Sequence, residues 1–400
     1  MLNSLIIGSA KMETKKSRVF KMPSVVITGR NSSQEVGRVI KKINCKKGLI
    51  VTDRNLANTK ILASVKASFV SAEISCEIFD QIVTEPITDY VEQGLNIYKK
   101  TKCECIVAVG GGSSIDTAKA ISVLTSNSGL IQDYEGLNKI STSGAPLIAI
   151  PTTAGTGSEV TTTTIITDTK RNVKMLLISP FLLPYAALVD PLLTVSMPRK
   201  LTAATGIDAL THAIEAYTSV KAQPLSDIFA LSAIKLLAGN LRQAWANAYD
   251  LKARDSTMMG AFQAGVAFSN SSVALVHGMS RPLGAYFHIP HGLSNAVLLA
   301  PVIEFSIPGN PQKYGQIAKT MGEKIKDLTV DEAAARVSKA VSKLVEDVEI
   351  PTLSELGIKK GKLEEVVAQM AEDSIASGSP GNNPRKATKK EIIELYWKAF

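Results

Sequence analysis

The sequence predicts an α/β half with a parallel sheet, followed by a half built from helices alone. Three observations carry this. Over residues 19–198, short Val- and Ile-rich runs alternate with helix-length stretches, and such alternation implies parallel strands joined by right-handed crossovers. From 199 to 400 the β-rich runs stop and helical spacing takes over, with Met197-Pro198 at the change. A chain of 400 residues can also bury two cores, and its 45% hydrophobic and 20% charged content is ordinary for a globular protein.

Residues 1–18 are expected to be a poorly ordered lead-in. The apolar patch Leu5-Ile6-Ile7 is short and the basic residues follow it, the reverse of a secretory signal. Strands are expected at 25–29, 48–53, 76–80, 105–110 and 146–151, with helices at 33–43, 54–70, 87–100 and 114–126 between the earlier ones. Two β-rich runs, 160–168 and 173–179, are joined by Thr169-Lys170-Arg171-Asn172 and read as a hairpin. A last strand is expected at 186–190. In the second half, 224–247 and 250–267 are helix candidates. Thr329-Val330-Asp331-Glu332 and Thr388-Lys389-Lys390-Glu391 fit capping boxes, the first followed by Val337, Ala340, Val341 and Leu344 at helical spacing. The stretch 378–384, rich in Gly, Pro and Asn, reads as a loop.

No run of 18 apolar residues occurs, so no transmembrane helix is expected. The net charge of +9 is spread out and no basic run is interleaved with aromatics, which argues against nucleic-acid binding. A modest positive field suits an anionic dinucleotide instead. Cys45, Cys76, Cys103 and Cys105 form no CxxC, as expected of reduced, structural thiols in a cytoplasmic protein.

The chain has four histidines, and three of them, His277, His288 and His291, fall within fifteen residues. The fourth, His212, follows Asp208 by four positions. On a helix these two point the same way, one turn apart, as half of a divalent-metal site would. Taken alone, such a pair is as readily a surface hydrogen bond. The strand at 105–110 runs into Gly110-Gly111-Gly112-Ser113-Ser114-Ile115-Asp116. The glycines let backbone N–H groups approach a phosphate at a helix N-terminus, or else make a tight turn. Asp53 ends the second strand, where it can hold an adenosine ribose hydroxyl and repel a 2′-phosphate, or cap the next helix. The hydroxyl-rich loop Thr152-Thr153-Ala154-Gly155-Thr156-Gly157-Ser158 can close over a pyrophosphate or ribose.

Four motifs in order, GGGSSIDTAKA, PTTAGTGSEVT, ATGIDALTHAIEAY and HGMSRPLGAYFHIPHGLSNA, resemble those of the group III iron-dependent alcohol dehydrogenases of the lactaldehyde/propanediol oxidoreductase type. The resemblance runs from about residue 20 to 400. It implies an N-terminal Rossmann-like domain and a helical C-terminal domain, the dehydroquinate synthase-like architecture, with the site in the cleft between them. It implies metal ligands at Asp208, His212, His277 and His291, holding Fe2+ or alternatively Zn2+. It implies NAD contacts at Gly110, Gly111, Gly112, Ser113, Ser114 and Asp116 for the pyrophosphate. Thr152, Thr153, Ser158, Thr161, Thr163 and Lys174 would line the nicotinamide half, and Asp53 would select NAD over NADP.

The implied activity is reversible hydride transfer between a small or medium primary alcohol and NAD+ in a cytoplasmic homodimer or larger homo-oligomer. Many relatives have a further histidine where this chain has Arg281. An arginine cannot pass a proton near neutral pH, so His288 becomes the candidate relay and Arg281 a candidate contact to substrate or cofactor. A hydroxyacid or semialdehyde substrate is an alternative within the family. A metal- and NAD-dependent lyase related to 3-dehydroquinate synthase is an alternative outside it, and it would show no net NADH change.

Overall fold

The computed structural model describes residues 17–171 and 173–400. The expectation for residues 1–18 falls almost wholly outside them. The first half holds nine strands among the described residues: β1 Val25–Thr28, β2 Lys47–Asp53, β3 Ser75–Ile82, β4 Cys105–Gly110, β5 Gly136–Leu137, β6 Leu147–Pro151, β7 Thr163–Asp168, β8 Val173–Ile178 and β9 Ala186–Val189. Helices α1 Val36–Lys42, α2 Lys60–Ser71, α3 Thr88–Thr101 and α4 Gly112–Leu124 alternate with the first strands.

Six strands form a parallel sheet in the order β1-β9-β6-β4-β2-β3. Successive residues of its strands feed opposite cores. Leu49, Val51, Ile106 and Ala108 face one side, Ile50, Val107 and Val109 the other. This is why the strands read as continuous apolar runs: both faces are covered. The expected hairpin is present as antiparallel β7 and β8.

Three local expectations are corrected. The helix expected from residue 54 begins only at Lys60, because Asp53 turns the chain first. The strand expected from 160 starts at Thr163, after a 3-10 turn at Ser158–Val160. Strand β5 was not anticipated; its two residues pair with β8, and so short a partner leaves no alternation to read.

The second half is helical throughout: α5 Arg199–Thr218, α6 Pro224–Ala246, α7 Leu251–Ser271, α8 Leu275–Phe287, α9 His291–Ser306, α10 Pro311–Thr320, α11 Val330–Asp347, α12 Lys360–Ala376 and α13 Lys389–Lys398. Both capping boxes are made, with Thr329 Oγ1 and Thr388 Oγ1 accepting from the N–H of Glu332 and Glu391. Helix α5 is buried on all sides from Thr205 to Thr218, packed by α6, α7 and α9. Helix α6, and α9 extended to Gly309, are long and apolar enough to cross a membrane, with mean hydropathies of 1.2 and 1.3. Both contribute to the core, and α9 carries the buried Ser294 and Asn295.

Small residues close the gap between the halves. A Cβ at Gly155 would lie 2.6 Å from Thr205 Cβ on α5. Gly157 has φ +64° and a Cβ there would lie 2.5 Å from Gly265 Cα on α7. The loop at the end of β6 therefore docks on the helical half by backbone approach too close for any Cβ, at a φ that favours glycine.

Candidate functional site

The site is built where three helices converge. Asp208 lies in the middle of α5, His277 in the first turn of α8, and His291 opens α9 after Pro290. These residues offer one oxygen and two nitrogens that lie within 4.8 Å of one another. Asp208 and His277 are buried, and His291 is exposed on one side.

Two residues that the sequence reading did not single out organise this cluster. Glu215, two turns along α5 from Asp208, accepts from Ala274 N (2.8 Å), Val276 N (2.6 Å) and His277 Nδ1 (2.6 Å). The first-turn amides of α8 favour a carboxylate. With Nδ1 donating to Glu215, the lone pair of His277 is at Nε2, which lies 3.8 Å from Asp208 Oδ1. Asn295, one turn after His291, sets its amide Nδ2 2.7 Å from Asp208 Oδ1, 3.1 Å from His277 Nε2 and 3.2 Å from His291 Nε2. The three ligand atoms lie close enough together for one cation to be shared among them, and the Asn295 amide sits against all three. A carboxylate with imidazoles suits Fe2+ or Zn2+. Glu215 stood inside a quoted motif, and its seven-residue spacing from Asp208 was the available signal. Asn295 gave none without the fold.

His212 falls outside the group of three. Its ring stacks on His277 at 4.5 Å between centroids and on Phe268 at 4.1 Å. Its Nδ1 is buried without a hydrogen-bond partner. Burial, and then the neighbouring His277, hold its pKa well below the usual value. The protein packed round His291 pushes that ring down to about 4, against the pull of Asp208. Both rings are therefore neutral near pH 7, with lone pairs available for a metal.

On the sheet side, Gly110 has φ +153° and a Cβ there would sit 2.7 Å from Ser114 Cβ. Gly111 precedes α4, whose first amides have no side-chain cap. Thr153 and Thr156 pack beside Gly111 and Gly112, and Thr152 N donates to Gly110 O at 3.0 Å. Asp53 Oδ1 accepts from Asn55 N (2.9 Å) and Leu56 N (3.1 Å). Its Oδ2 lies 3.5 Å from where a Cβ of Gly110 would be. One oxygen serves the turn and the other faces the glycine loop.

Several residues expected to line the cofactor make hydrogen bonds within the protein beneath the loop. Half-buried Asp116 accepts from Ser158 Oγ and from Ile165 N at 3.0 Å. Lys119 is fully buried and donates to Thr161 Oγ1 (2.7 Å), Thr161 O (3.0 Å) and Thr163 O (2.8 Å). Ser158 and Thr161 thus direct their hydroxyls to Asp116 and Lys119, and the fully buried Lys119 charge in particular needs such partners. Ser113 is half-buried and Ser114 buried at the start of α4. Lys174 pairs with Glu85 at 2.5 Å, and its Nζ lies 4.0 Å from where a Cβ of Gly284 would be. His288 does not join the cluster. It is the exposed left-handed cap of α8, at φ 56°, and its ring makes no hydrogen bond among the described residues.

Residues 23–191 match the family "Iron-containing alcohol dehydrogenase", and residues 202–400 match "Fe-containing alcohol dehydrogenase family, C-terminal". The chain is 38% identical to NAD-dependent methanol dehydrogenase from Bacillus methanolicus, covering 94% of this chain and 98% of that one. It is 37% identical to lactaldehyde reductase from Escherichia coli K12, covering 93% and 97%. A crystal structure of 1,3-propanediol oxidoreductase superposes with a TM-score of 0.94 at 38% identity, covering 96% of this chain and 100% of that one. On sequence, fold and the convergence of Asp208, His277 and His291, the chain belongs to the iron-containing alcohol dehydrogenase family.

Proposed function

We propose residue roles for this NAD-dependent alcohol dehydrogenase. Asp208, His277 and His291 hold a divalent metal, iron in the first instance, and His212 joins them as the fourth ligand. The observation that carries this is the gathering of three ligand atoms within 4.8 Å of one another, with Glu215 orienting His277 from behind. When bound, the ion polarises the alcohol or aldehyde oxygen and NAD accepts or returns the hydride. The net reaction is a primary alcohol and NAD+ giving an aldehyde, NADH and a proton.

The protein does the rest. Glu215 keeps the His277 tautomer that leaves Nε2 free. The Gly110–Ser114 turn and the first amides of α4 receive the pyrophosphate. Asp53 takes the adenosine ribose and disfavours a 2′-phosphate. The loop at 152–160, anchored by Asp116 and Lys119, closes the cleft between the halves and keeps water from the reacting carbon. We further propose a cytoplasmic homo-oligomer; the four free thiols suit a reducing compartment.

The test is NADH oxidation with a panel of aldehydes, on protein stripped of metal and reloaded anaerobically with Fe2+ or Zn2+. Metal-restored turnover is expected. Bound metal and NADH with no aldehyde reduced would defeat the reading.

A further inference from the structure

Behind Glu215 the protein encloses a small polar cavity. It lies where α5, α8, α9, α10 and the loop at 378–384 meet, and no residue of its wall is more than 4% exposed. About 10 Å³ is open to the centre of a water molecule, room for a single one. Half of the wall is aliphatic, from Ile214, Val276 and three residues of α9. The other half is polar: Glu215 and Thr218 from α5, Ser306 from the end of α9, Tyr314 from α10, and Asn383.

An enclosed space of this size stays dry when its lining is apolar, whereas a lining with two to four polar partners holds a water. The polar groups here have hydrogen-bonding capacity left. A carboxylate offers about four acceptor sites. Glu215 uses two on Oε2, for Ala274 N and His277 Nδ1, and one on Oε1, for Val276 N. One site on Oε1 is left. Thr218 Oγ1 donates to Ile214 O at 2.9 Å and keeps its acceptor pairs. Ser306 Oγ accepts from Asn383 Nδ2 at 3.0 Å, which ties the loop to α9. Burial pushes the Tyr314 phenol up from its ordinary pKa, against the pull of the Thr218 and Ser306 hydroxyls. It therefore remains an O–H donor.

We propose that this cavity binds one ordered water, which accepts from Tyr314 Oη and donates to Glu215 Oε1 and Thr218 Oγ1, and that Tyr314 is through it a positioning residue for His277. The proposal rests on the metal-site reading above. With both oxygens held, the carboxylate of Glu215 cannot turn away from Nδ1. His277 then keeps Nε2 directed toward Asp208, 3.8 Å away. The organisation of the metal site thus extends one layer beyond Glu215, to α10.

Two measurements on the full chain test this. A high-resolution crystal structure should show one water within about 3.2 Å of both Glu215 Oε1 and Tyr314 Oη. That readout needs neither a variant nor a metal. Tyr314→Phe keeps the ring and removes the hydroxyl. Its affinity for Zn2+, read by competition with a chromophoric chelator, should fall about 3- to 10-fold, as the loss of one hydrogen bond allows. The loss should also depend on Glu215: in a Glu215→Gln background, Tyr314→Phe should add little to it. A dry cavity would overturn the proposal. So would an unchanged Zn2+ affinity in Tyr314→Phe, or an equal loss with and without Glu215→Gln, which would make Tyr314 a packing residue only. Failure of wild type to bind Zn2+ or Fe2+ would overturn the metal-site reading itself, a distinct result, because the crystal reads the water independently.

Discussion

Glu215 and His277 are joined by a 2.6 Å hydrogen bond between a buried carboxylate and Nδ1 of a buried imidazole. That bond decides which nitrogen of His277 can meet a metal. Glu215→Gln keeps the shape but removes the charge that holds the tautomer. Metal affinity should fall by about 10- to 100-fold, read by competition with a chromophoric chelator. An unchanged affinity would mean that Glu215 serves only to cap the start of α8.

Removing the metal-facing imidazoles separates ligands from neighbours. His277→Ala should lose metal and turnover together. His212→Ala is the sharper case, because His212 stands outside the group of three yet has an unpartnered, buried Nδ1. We expect its metal content, measured by plasma emission after dialysis, to drop as severely. Full metal retention by His212→Ala would leave three protein ligands.

Asp53 should set the choice of dinucleotide. Asp53→Ser removes the carboxylate oxygen that faces the glycine loop. The kcat/KM for NADP+ should rise at least about tenfold, equivalent to roughly 1.4 kcal/mol of relieved repulsion. Steady-state kinetics with both dinucleotides checks this. If NADP+ gains nothing, Asp53 is only the cap of the turn that follows it.

The buried Glu159 makes stability depend on pH. Desolvation pushes its carboxyl up to about 7, against about 4.3 in an unfolded chain. Between these values the folded state binds the more protons, so stability falls as pH rises from about 4.3 to 7. Glu159→Gln should match wild type in Tm near pH 4.5 and exceed it at pH 7.5. Lys119, pulled down to about 8 by burial, acts oppositely, and its stability cost fades between pH 8 and about 10.4. Thermal scans across pH would refute this if the two proteins differed by a constant.

Gly157 carries the contact between the halves. Gly157→Ala forces a Cβ toward Gly265 at a left-handed backbone position. The cost should be at least roughly 1–3 kcal/mol, with a raised KM for NAD+ because the loop beside α4 shifts. A silent substitution would mean that the loop can move without loss.

What the sequence by itself determined was whatever local periodicity and local chemistry encode. The Val- and Ile-rich runs alternating with helical stretches announced a parallel sheet, and Thr329 and Thr388 announced their helices. Asp208 and His212 were legible because both lie on one helix, at a spacing the helix itself converts into a shared face. The turn at Asp53, the displaced start of α2 and the tiny β5 were not, since short irregular segments carry no period. Only the tertiary structure brought Glu215 and Asn295 to His277, across 62 and 18 positions of chain. It also turned Ser158 and Thr161 inward to Asp116 and Lys119. Those outcomes depend on which helices cross and which buried charges find partners, and that is settled by packing, not by spacing along the chain.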